Sequence, residues 1–150
     1  MAARASALLA AMWAGVLLSI GAIGAPSAFA VLAAPDAGRV AGRMFAAEAQ
    51  LGIAIAVVLL LLERRRSARF ETPLFTLELG LLFGAIFCTV AGYFALQPLL
   101  AVAREGRGAL SFGALHAGSA VMYAIKGLLV LALAWRLIRA SDQAGMKSTV

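Results

Sequence analysis

Charge is what this sequence has least of: Asp, Glu, Lys and Arg make up 13% of its 150 residues, about half the share of an average soluble domain. With 63% hydrophobic residues and a mean hydropathy of +0.96, that scarcity excludes an ordinary soluble domain and a disordered chain. One cysteine, Cys88, excludes an intrachain disulfide. One histidine, His116, means that a metal site within one chain would need Glu48 or Cys88 to complete it. The sequence shows no nucleophile triad, no pair of immersed carboxylates and no phosphate-binding loop. The 13 Lys and Arg exceed the 7 Asp and Glu, but they flank apolar runs, as topology signals do, so nucleic acid is not the expected partner. The lipid bilayer is.

What is present is apolar length. Four runs, at about 7–32, 44–62, 79–98 and 114–135, each suffice to cross a ~30 Å hydrocarbon layer at ~1.5 Å per helical residue. The expected fold is an all-α four-helix transmembrane bundle, a single membrane domain ending in a polar tail, 140–150. Pro35 to Arg43 reads as a turn before the second helix. Arg4, Arg64, Arg65, Arg66, Arg69, Arg136, Arg139 and Lys147 fall on one side, against Arg39, Arg43, Arg104 and Arg107 on the other. The positive-inside rule then puts both termini in the cytoplasm of a bacterial inner membrane. Arg4 and the Ala28-Phe29-Ala30 triplet also suit a signal peptide. The first run, however, exceeds the ~7–15 residues of a signal core, which favours a retained helix that kinks or ends at Pro26.

Gly80, Gly84, Cys88 and Gly92 recur every fourth residue, a strip of small side chains that lets a second helix, of this bundle or of another copy, approach closely. On this reading Leu82 lies on a different face, and Gly84→Leu should cost more than Leu82→Ala. With each helix centred on its run, Glu48, Tyr93, Gln97 and His116 fall in an outer-leaflet layer roughly 6 Å deep. Gln97 and His116 should approach each other. The layer reads either as hydrogen-bonded glue between helices, in which case His116→Leu should cost roughly 1–3 kcal/mol, or as a small site for a cation, a proton or a polar headgroup. Lys126 sits mid-membrane in the fourth helix, a charge that marks function by default. Glu78, the acid below it, is roughly 13 Å away in level. Snorkelling or the neighbouring Tyr123 are its other solutions.

Three segments resemble the transmembrane protein 205-like family of small four-helix membrane proteins without an assigned reaction. They are Gly42-Arg43-Met44-Phe45, Gly92-Tyr93-Phe94-Ala95-Leu96-Gln97-Pro98, and Phe112-Gly113-Ala114-Leu115-His116-Ala117-Gly118-Ser119. Ala117 stands where the family pattern has glycine, and Lys126 adds a charge to its last helix. The resemblance implies an uncleaved first helix and four spans; it supplies no function. The first functional reading is a non-enzymatic inner-membrane protein of unassigned role without a cofactor. The second is a small transport or ion-binding protein whose outer mouth is Glu48, Tyr93, Gln97 and His116. The third is a membrane oxidoreductase holding haem or quinone near His116.

Overall fold

The computed structural model describes residues 2–70 and 76–147. Glu71, Thr72 and Pro73 of the arginine-rich connection, the side chains of Arg69 and Lys147, and Ser148 to Val150 lie outside the described residues. The chain forms four long helices, all apolar and long enough to span a membrane. The first comprises Ala2–Leu18, a π-helical stretch Ser19–Gly24, and Ala25–Val31. The second is Ala34–Phe70. The third comprises Leu77–Thr89, a π-helical stretch Val90–Ala95, and Leu96–Arg104, and the fourth is Phe112–Lys147.

The helices run past the apolar runs because their ends are capped locally. Thr76 accepts a hydrogen bond from the Leu79 amide, and Ser111 from the Ala114 amide, both at 3.2 Å, so the third and fourth helices start before their apolar runs. The third ends at Arg104 and turns at Gly106, whose φ of +71° suits glycine, with Arg107 N–H donating to the Val102 carbonyl and Gly106 N–H to that of Ala103. The second helix begins at Ala34, not near Met44: Pro35 sits in its first turn, where a missing N–H costs nothing. The turn expected over Pro35 to Arg43 is therefore helix, and the true turn is the extended backbone at Leu32. The fourth helix likewise continues into the segment read as a tail, as far as Lys147.

Pro26 and Pro98 neither end nor break their helices. Each ring would press on the carbonyl four residues earlier, at Ala22 and Phe94, and both carbonyls lie in the π-helical stretches. Widening that turn is one way to relieve such a clash. Each stretch also meets the fourth helix through a glycine: a Cβ at Gly21 would lie 2.9 Å from the Tyr123 ring, and one at Gly92 2.6 Å from Met122 Cβ.

The core fills the half of the bundle that holds the termini, with Trp13, Leu17, Leu59, Leu82, Val130 and Leu133 buried together. Leu82 thus belongs to the core. Its truncation would leave a void, and at Gly84 even a Cβ would lie 3.0 Å from Leu129 Cδ1, so both substitutions carry a packing cost. At that end Arg136 donates to Glu78 at 2.9 Å. The opposite half, between the Leu32 turn and the Gly106 turn, is open.

Candidate functional site

With the second helix running from Ala34 to Phe70, Glu48 lies deep in the bundle. It lies as far along its helix from Ala34 as Lys126 lies from Phe112, roughly 20 Å in each case, and both helices start at the same end. The two charges are therefore level, and they pair: Lys126 Nζ donates to Glu48 Oε2 at 2.6 Å, with both side chains almost wholly buried. Trp13 Nε1, from the first helix, donates to the other oxygen at 3.2 Å. Lys126 Nζ also lies 4.9 Å from the Tyr123 ring centre, a cation–π contact. Tyr123 in turn donates its hydroxyl to the Leu17 carbonyl at 2.8 Å and meets Phe45 edge to face. Glu78, the acid considered for Lys126, is engaged by Arg136 instead.

This cluster joins three helices and stands where the packed half gives way to the open half. Above it lies a cavity of about 960 Å³, walled by all four helices, at the upper end of the ~300–1,000 Å³ typical of ligand pockets. The first and second helices give it an apolar wall that includes Pro26, Phe29, Ala41, Gly42 and Phe45, and the third and fourth give a hydrogen-bonding wall of Tyr93, Gln97, His116, Ser119 and Tyr123. Glu48, Lys126 and Cys88 also border it. The space exists because the second helix presents glycine: a Cβ at Gly38 or Gly42 would have no neighbour within 4 Å.

The four residues read as a polar layer, Glu48, Tyr93, Gln97 and His116, all border this one cavity, at different depths. Among the described residues no hydrogen bond joins Gln97 to His116. The His116 ring stacks on Phe112 with centres 5.8 Å apart, and Arg104 lies 5.2 Å from the Phe112 ring centre. Ser119 donates to the Gly92 carbonyl at 3.0 Å, and Thr89 to that of Ala85 at 2.9 Å. The strip of small residues divides: Gly92 abuts the fourth helix, Gly84 meets Leu129, Cys88 is buried at the cavity, and Gly80 is exposed with nothing near it. Among the described residues no group of three His, Cys, Asp or Glu is placed to hold a metal ion.

Because His116 is exposed to the cavity and leaves no buried partner behind, His116→Leu should change stability by less than about 0.5 kcal/mol, not by the larger cost expected of a residue that holds helices together. Unfolding in detergent measures it, and a loss above about 1 kcal/mol would restore the structural role.

The pairing of Lys126 with Glu48 is hidden from the hydropathy pattern because both helices run past their apolar segments, the second from Ala34 to Phe70 and the fourth on to Lys147. The readable signal was Pro35 followed by Asp36, a proline and an acid suited to a first helical turn.

No curated protein and no solved structure matches the chain. The family described as a domain of unknown function (DUF4149) matches residues 8–109, which covers the first three helices and the turn after them. That match does not extend to the transmembrane protein 205-like name. With four helices fit to cross the bilayer, the chain is a multi-pass membrane protein, and it belongs to the family of the domain of unknown function (DUF4149).

Proposed function

We propose that this is a non-enzymatic protein of a bacterial inner membrane, with both termini in the cytoplasm, that binds a small molecule in the cavity and serves its transport. The observation that carries the reading is the cavity itself: about 960 Å³ inside a bundle of only four helices, closed at its deep end by the Glu48–Lys126 pair. A bundle that only had to be stable would fill such a space, since voids forfeit packing contacts. The arginine distribution puts the open half toward the outside. His116 and Ser119, in one of the three segments that resemble transmembrane protein 205-like proteins, both border the cavity.

Gly42→Leu tests the reading. The new side chain enters empty space and replaces a helix-weakening glycine, so stability should stay equal or rise by about 0.5–1 kcal/mol. With Cys88→Ala removing the native thiol, Ser119→Cys should react with a membrane-impermeant thiol reagent added outside intact spheroplasts. Adding Gly42→Leu should slow that reaction at least about tenfold. A Ser119→Cys thiol that reacts only from the cytoplasmic side, or equally fast with Gly42→Leu, would refute the outward-facing cavity.

A further inference from the structure

The cavity has a charge pattern that bears on what enters it. Among the described residues its only carboxylate is Glu48, which has both oxygens engaged, by Lys126 and by Trp13. Its cations are Lys126 at the deep end and Arg39 and Arg104 at the helix ends. Arg39 is paired with Asp36. Arg104 is exposed and, among the described residues, has no carboxylate partner; its guanidinium rests near the Phe112 ring. A cation entering here meets guanidinium groups and no free carboxylate. An anion meets a planar fork of donors suited to carboxylate or phosphate. Below Arg104, apart from Arg39 and the engaged Glu48, the first and second helices offer apolar surface, with Phe29 and Phe45 as its largest apolar side chains.

We infer that the cavity takes an amphipathic anion, with a carboxylate or phosphate head at Arg104 and an apolar body along Phe29 and Phe45. This rests on the reading of the cavity as a binding site. The head is held by charge-assisted hydrogen bonds at the wet rim, where a guanidinium is free to turn toward it. The body replaces whatever water fills the space beside the apolar wall, a gain that grows with the number of methylenes buried.

The full chain in phosphatidylcholine nanodiscs, with empty discs subtracted, tests this by equilibrium dialysis of labelled probes. Decanoate should bind saturably and at least tenfold tighter than decanol, decyltrimethylammonium should show no saturable binding, and acetate, an acid without a body, should show none. Arg104→Gln should bring decanoate down to the level of decanol and leave decanol unchanged. Equal binding of decanoate and decanol, preference for the cation, or no effect of Arg104→Gln would overturn the inference but leave the cavity as a site. No saturable binding of any ten-carbon probe would sink the cavity reading itself. Competition by phosphatidylglycerol added to the discs would support the inference with membrane lipid as the source of the anion, and saturable decanoate binding without that competition would support it with a free amphiphile.

Discussion

Lys126→Met will lower the unfolding free energy by about 3–5 kcal/mol, and adding Glu48→Gln will return most of it. The single change leaves the Glu48 carboxylate deep in the bundle with only the Trp13 N–H as partner, and an uncompensated buried charge is among the most destabilising things a substitution can create. The double change removes both charges. The amide oxygen of the introduced glutamine keeps an acceptor for Trp13, and methionine occupies nearly the volume of the lysine stem. Buried ion pairs contribute little net stability against apolar replacements of similar shape, so the double variant should lie within about 1–2 kcal/mol of the parent. Reversible unfolding of the parent, both single variants and the double variant in one detergent closes the cycle. Additive losses would mean that the two groups do not interact and would remove the pair from the cavity floor.

Gly92→Ala should be the most damaging glycine-to-alanine change among the described residues. Its Cβ would lie 2.6 Å from Met122 Cβ; the obstacle is the root of a side chain, not its flexible end. Relief requires the third and fourth helices to separate, which would also stretch the bond from Ser119 to the Gly92 carbonyl. A cost of about 2–3 kcal/mol is expected, at the upper end of ordinary overpacking. Gly80→Ala is the control on the same helix: exposed, with nothing within 4 Å, it should be neutral or gain up to about 1 kcal/mol from helix propensity. Gly84→Ala should fall between them, because Leu129 can turn away. Unfolding of the three variants side by side decides the order. Equal effects at Gly80 and Gly92 would show that the close approach of the two helices does not depend on a missing Cβ.

The four spans could be read from the chain alone, because apolar length and flanking arginine are one-dimensional signals and a bilayer leaves the helix few alternatives. Some of the polar side chains bordering the cavity were legible as well: Glu48, Tyr93, Gln97 and His116 as one group, and Lys126 as a separate intramembrane charge. Their pairing was not. Hydropathy marks where a helix becomes apolar, not where it begins, and the caps and first turns at Pro35, Thr76 and Ser111 are polar by nature. Centring each helix on its apolar run sets Glu48 roughly 10 Å outward of Lys126, enough to part the two and set Glu48 beside Tyr93 at the rim. A four-residue period of small side chains likewise names a face without naming the neighbour, so that only the packed bundle separates Gly92, pressed on Met122, from Gly80, which touches nothing. Composition and periodicity thus determined that this chain has four helices long and apolar enough to cross a membrane. Tertiary structure alone decided that its charges meet and that a cavity opens above them, because both depend on the relative depth and rotation of helices, which the local sequence of each does not encode.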